Sequence, residues 1–167
     1  MISTDALFRI GDAAEEAGDH EHARRSFEKG AALGDVYCLM RLAYMFDVGV
    51  GVEIDKTFAM RCYQRAWRRE PNSNAANNIA ILYREVGNHR AMFKWFERAA
   101  AQGDPDAFVD LAECHLRGLG VPRSVAQGMR CLSMALSRID DLFEAAREKA
   151  EAMSAELRPK VVESNGG

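Results

Sequence analysis

A chain of 167 residues that is 48% hydrophobic and 28% charged can bury a substantial core and is neither disordered nor fibrous. Its net charge of -3 and pI near 5.8 remove the global basic excess on which non-specific nucleic-acid binding depends, so no nucleic-acid partner is expected. No apolar run approaches the roughly 20 residues of a membrane span, and Met1 to Asp5 lack the basic-then-apolar start of a secretory signal. A cytoplasmic protein without a membrane partner is therefore expected.

In chain order, apolar residues recur at helical spacing over about 4–17, 21–32, 36–47, 56–69, 74–86, 89–102, 105–117 and 124–137. Gly18-Asp19, Gly34-Asp35 and Gly103-Asp104 each close one helix with a residue tolerant of left-handed dihedrals and open the next with a capping carboxylate. Pro105 follows its cap at the first helical position, and Ser124 with Gln127 has capping-box spacing. Such short connections make consecutive helices antiparallel, in hairpins at about 4–32, 36–70, 73–103 and 104–138. Leu142, Phe143, Ala146, Ala150, Met153 and Leu157 then mark one face of a capping helix at about 141–157, Pro159 stops it, and 159–167 reads as a mobile tail. Residues 1–158 are read as one domain.

The hairpins repeat. Arg9-Ile10-Gly11, Arg41-Leu42-Ala43, Asn78-Ile79-Ala80 and Asp110-Leu111-Ala112 set a large aliphatic before a small residue at spacings of 32, 37 and 32. A second series pairs a small residue with a large one four later: Ala23 with Phe27, Ala59 with Tyr63, Ala91 with Trp95, and Gly128 with Leu132. Two of the hairpins carry a longer loop, Gly49-Val50-Gly51-Val52 and Gly118-Leu119-Gly120-Val121, in which two glycines take positive φ while valine folds back. Neither loop continues to a third glycine or to Gly-Lys-Ser/Thr, which excludes a phosphate loop.

Reactive groups form no site. Cys38, Cys62, Cys114 and Cys131 lie in apolar helical stretches without C-x-x-C pairing, as buried reduced thiols do. His20 and His22, two apart on a helix, point in different directions, so no metal and no cofactor are expected. Hydrolase, kinase and dinucleotide motifs are missing, and the acids are spread over helices without convergence. A non-enzyme with no small-molecule substrate follows.

The run Leu42-Ala43-x2-Phe46-x2-Gly49-x-Gly51-Val52-x2-Asp55-Lys56-x2-Ala59-x3-Tyr63 resembles the Sel-one-like repeat of the tetratricopeptide superfamily. Leu111-Ala112-x2-His115-x2-Gly118-x-Gly120-Val121 repeats its first half, with His115 in place of the usual tyrosine and Pro122-Arg123-Ser124 in place of an acidic-lysine stretch. The resemblance implies an all-α, right-handed α-solenoid of antiparallel hairpins with a C-terminal capping helix. It also implies that the first helix of each hairpin lines a concave protein-binding face. Carried onto this chain, that face is Phe8, Asp12, Tyr37, Met40, Tyr44, Asp47, Asn74, Asn77, Ile81, Arg84, Asp106 and Glu113, flanked by Asp5, Glu15, Val109 and Leu116. Carboxylates outnumber Arg84, so a partner with a basic or mixed surface is expected. The role implied is that of an adaptor or scaffold; the alternative is a bacterial immunity protein blocking a toxin. Arg61, Arg65, Arg68 and Arg69 share one outer helix face, read as solvated, with a second docking surface or an anionic-ligand patch as the alternative.

Overall fold

The computed structural model describes residues 2–157, and the expected tail at 159–167 lies outside them. The described residues form nine α-helices and no strand. They are α1 (Thr4–Glu16), α2 (His20–Ala32), α3 (Val36–Val48), α4 (Lys56–Arg69), α5 (Ser73–Glu85), α6 (His89–Ala101), α7 (Pro105–Arg117), α8 (Val125–Leu136) and α9 (Glu144–Leu157), with a short 3-10 turn at Ile139–Asp141. Two compact units divide at Gly103: the first holds α1 to α6, the second α7 to α9.

The helix starts follow from capping. Ser3, Asp19, Asp35, Asp55, Asn72, Asn88, Asp104 and Ser124 each accept a hydrogen bond from a backbone N–H two or three residues on, satisfying donors that the first helical turn leaves open. Consecutive helices pair as α1/α2, α3/α4, α5/α6 and α7/α8.

The two long loops are the same object. Gly49 and Gly51 take φ of 82° and 66°, and Gly118 and Gly120 take 73° and 74°. Val50 N–H donates to Met45 O and Leu119 N–H to Cys114 O, both at 2.9 Å. Asp55 N–H donates to Phe46 O at 2.9 Å, as Ser124 N–H does to His115 O at 2.8 Å. His115 therefore keeps the backbone role of its counterpart. Arg123, the departure from the repeat pattern, donates through Nε to Leu116 O at 2.8 Å and so satisfies a carbonyl at the end of α7.

In the first unit the core centres on Phe27, Leu39, Leu42, Met45, Tyr63 and Ile79, all buried. Two members of the repeated series depart from the buried register of the others. Ile10 is 39% exposed, because α1 packs mainly on α2 and buries Leu7, Gly11 and Ala14 instead. In α6 the buried pair is Met92 and Phe96, one residue beyond Ala91 and Trp95; Trp95 turns its ring to the edge of Trp67. Close packing of α2 on α3 rests on Gly30, where a Cβ would collide with the Cys38 sulfur.

The second unit is built on Val109, Ala112, Leu132, Ala135, Leu142, Ala150 and Met153. Here α9 lies against both α7 and α8, as a cap should, although it starts three residues later than expected. Leu142 is buried ahead of it, whereas Phe143, expected on the apolar face, is 79% exposed.

Candidate protein-binding face

Of the residues expected on the face, Tyr37, Met40, Tyr44 and Asp47 lie on α3. Tyr37, Met40 and Tyr44 recur at three- and four-residue steps, so they share one side of the helix. Tyr37 is 66% exposed and Tyr44 44%, while Met40 is half-buried against the core. The Tyr37 ring leans on Phe8 of α1 with centroids 5.7 Å apart, and Phe8 in turn touches Phe27 at 6.1 Å. Phe8 is thus a support for Tyr37, not an open contact. An open hollow of about 240 Å³ lies beside the stripe, lined by Val36, Tyr37, Met40, Glu70, Asn72 and Asn74. On α5, Asn77 and Ile81 are half-buried and Arg84 is exposed, its guanidinium 5.0 Å from the centre of the Phe96 ring.

The charges differ from the count made on the sequence. Arg41, one residue before its aliphatic anchor, reaches Glu15 at 2.6 Å and Asp12 at 3.9 Å, and lies 6.0 Å from the centres of the Tyr44 and Phe27 rings. Asp5 pairs with Arg9 at 3.2 Å. Asp47, expected on the protein-binding face, is only 9% exposed, and both of its oxygens accept hydrogen bonds within the chain. Lys56 Nζ donates to its Oδ1 at 2.7 Å and Tyr63 Oη to its Oδ2 at 3.3 Å. Lys56 also donates to Glu85 Oε1 at 3.0 Å, tying the ends of α3 and α5. Burial opposes the charge on Lys56, but its hydrogen bonds to Asp47 and Glu85 outweigh that and hold its pKa above the usual lysine value. Burial, reinforced by the Asp47 charge, likewise pushes the Tyr63 hydroxyl up.

In the second unit the corresponding face of α7 is already occupied. Phe143 N–H donates to Asp106 Oδ1 at 3.1 Å, and Lys149 of α9 pairs with Asp110 at 2.8 Å and with Glu113 at 2.5 Å. Glu113 also meets Arg117 at 3.2 Å. Val109 is buried and Leu116 packs on the same core. The capping segment thus covers Asp106, Val109 and Glu113, which the sequence reading left open. On α3 and α5, Tyr37, Tyr44, Asn74 and Arg84 stay exposed.

Sequence reasoning missed Arg41, Lys56 and Lys149 because it counted side chains by position. Long basic side chains reach sideways from positions outside the stripe. A usable signal existed for Arg41, which stands four residues after Tyr37 and three before Tyr44.

Among the described residues, no three His, Cys, Asp or Glu side chains cluster to hold a metal ion, and no helix is long and apolar enough to cross a membrane.

Comparison with known proteins agrees with this geometry. The model of the Sel1 repeat matches residues 36–68, 93–104 and 105–138, which include both hairpins with the paired-glycine loop. The chain is a Sel1-like repeat protein. It is 26% identical over 145 residues to the ERAD-associated E3 ubiquitin-protein ligase component HRD3 of Candida glabrata, covering 86% of this chain and 17% of that protein. The Sel1-like chain spans less than a quarter of the length of the curated relatives it matches. Among solved structures, it superposes with a TM-score of 0.78 on c5321, a protective antigen of uropathogenic Escherichia coli displaying an SLR fold. That match has 23% identity and covers 90% of this chain and 33% of that one. A Sel1 repeat protein from Oxalobacter formigenes gives a TM-score of 0.72 at 18% identity over 93% of this chain and 74% of that one. The fold class is accordingly an all-α helical repeat solenoid.

Proposed function

We propose that this Sel1-like chain is a non-enzymatic adaptor that binds a partner protein through α3 and α5, with Tyr37, Met40, Tyr44, Asn74, Asn77 and Ile81 as the contact set. Sel1-like repeat families are typically protein-interaction scaffolds. The observation that carries the assignment is the exposure of two tyrosines on one rigid helix face, beside a hollow edged by Asn72 and Asn74. Tyrosine supplies contact area at low entropic cost, and side-chain amides bond to a partner's backbone. Asp12, Glu15 and Asp47 already have cationic partners inside the chain. Recognition therefore runs on aromatic and amide contacts, with charge in a minor role. This favours the adaptor over an inhibitor that blocks a basic toxin site, since such an inhibitor relies on uncompensated acidic potential. A cytoplasmic setting and the absence of chemistry are parts of the same proposal.

The test is capture of the partner by pull-down and mass spectrometry, followed by kinetics of Tyr37→Ala and Tyr44→Ala. Truncating a buried aromatic anchor costs on the order of 2 kcal/mol, so each variant is expected to dissociate roughly thirtyfold faster with an unchanged helical spectrum. Association and dissociation rates equal to wild type in both variants would overturn the assignment.

A further inference from the structure

Outside the face just described, the strongest feature is the distribution of cations on the outer helices. On α4, Arg61, Arg65, Arg68 and Arg69 recur at steps of three and four, and on α6 so do Arg90, Lys94 and Arg98; all seven are exposed. Each stripe runs about 12 Å along its helix. The two helices approach each other where Trp67 of α4 meets Trp95 of α6 edge to face with centroids 5.3 Å apart. Arg98 stacks 4.1 Å from the centre of Trp95, which places aromatic surface among the cations. Glu97 is the one carboxylate on either helix.

The outer helix of the first hairpin shows the ordinary alternative. In α2, Arg24 pairs with Glu28 and Arg25 with Glu21, so both of its arginines are paired within the helix. Among the described residues, no ion pair joins any of the seven cations of α4 and α6. Three of the seven have internal roles. Arg65 donates to Ala31 O at 3.1 Å, Arg69 fills the space beside Gly34, and Arg61 lies 5.7 Å from the centre of the Phe58 ring. Arg68, Arg90 and Lys94 have no such contact. Like charges four residues apart destabilise a helix by a few tenths of a kcal/mol per pair, so this arrangement is held against local repulsion.

We infer that the outer face of α4 and α6 is a second docking surface, whose occupant is a short acidic segment of a partner protein. Guanidinium groups bind carboxylates by two parallel hydrogen bonds, and the tryptophan seam supplies apolar area between them. The size of the patch selects a short ligand, since 12 Å corresponds to about four residues of extended chain. A duplex carrying one charge per about 1.7 Å would run well past a 12 Å patch, and α4 is followed by Glu70.

The experiment uses the full chain and a fluorescent peptide with a central run of about six glutamates, with a glutamine counterpart as reference. Fluorescence anisotropy is expected to show binding of the acidic peptide that weakens as salt rises, and none of the glutamine peptide. Arg68→Glu combined with Lys94→Glu should lower affinity at least about tenfold, while the charge-matched Arg9→Glu with Arg130→Glu should keep it. Should the first pair of changes disturb folding, Arg68→Gln with Lys94→Gln gives the same readout without introducing acid. Failure of the wild type to bind, or equal affinity in the Arg68/Lys94 variants, would overturn the inference. So would tighter binding to a single-stranded oligothymidine or to phosphatidylserine vesicles than to the peptide.

Discussion

Tyr63 Oη donates a hydrogen bond to Asp47 Oδ2 at 3.3 Å in the second hairpin, and the residues in the same places of the fourth hairpin are Leu132 and Leu116. The matched loops set this register, with Gly49 answering to Gly118 and Asp55 to Ser124. Lys56, the third member, answers to Val125. One hairpin thus closes its base with a hydrogen-bonded polar trio, and the other does so with aliphatic side chains.

Replacing all three members of the trio should cost less than the sum of replacing each alone. Asp47→Ala leaves the buried Tyr63 hydroxyl without its acceptor and is expected to lower stability by about 1–3 kcal/mol. Asp47→Leu with Lys56→Val and Tyr63→Leu removes donors and acceptor together, so its loss should be smaller than the sum of the three single losses. Urea unfolding followed by circular dichroism measures all four, and strict additivity would contradict the coupling.

The seat of α9 predicts two opposite pH effects. For Lys149, burial works against the charge, but Asp110 and Glu113 outweigh it and raise its pKa. Its stabilising contribution is complete below the ordinary lysine value and is lost as pH rises through the higher folded value. Lys149→Met should accordingly flatten the alkaline decline of Tm. For Asp106, burial raises the pKa, Asp104 and Asp110 add to it, and the Phe143 N–H acts against it. Ionisation of Asp106 is thus unfavourable in the fold. Asp106→Asn keeps an acceptor for Phe143 and should stabilise the chain at neutral pH, with the gain shrinking as the medium is acidified. A Tm titration of the two variants decides both signs.

Deleting residues 142–157 should uncover Val109, Leu132 and Ala135 and leave Asp106 and Asp110 crowded together without the Lys149 charge. Sedimentation should then show association, or calorimetry a lowered Tm. A monomeric truncation of unchanged stability would show that α9 is dispensable.

The four cysteines are free, with Cys38, Cys62 and Cys114 buried and Cys131 half-buried. Burial, with the neighbouring Asp35 carboxylate adding to it, pushes the Cys38 thiol up to about 12, and burial also raises Cys62 and Cys131. The thiolate is the nucleophile, so native protein should react slowly with an aromatic disulfide reagent, Cys131 first. Denatured, unreduced protein should titrate four thiols. Rapid native modification of Cys38 would contradict its placement between α2 and α3.

Helix limits were legible to within a few residues because caps and glycines are local signals. Hairpin register was legible where one large apolar candidate stood alone, as with Phe27 between Ser26 and Glu28. In Ala91-Met92 and Trp95-Phe96, two apolar residues adjoin, and only the edge contact of Trp95 with Trp67 decides which of them points inward. The tyrosines of α3 could be placed from periodicity. The charge of their face could not, since it depends on Arg41 and Lys56 reaching in from the side, and the closure of the α7 face depends on Lys149 of a separate helix.

The contact of Gly30 with Cys38 makes two distant positions share one allotment of volume. Any side chain at position 30 has to take its space from position 38, so the pair is free to drift only in concert: an alanine at 30 calls for a glycine at 38. Among descendants of this sequence, the two positions should therefore covary more tightly than either does with its neighbours in the chain, recording in sequence how closely the two hairpins approach.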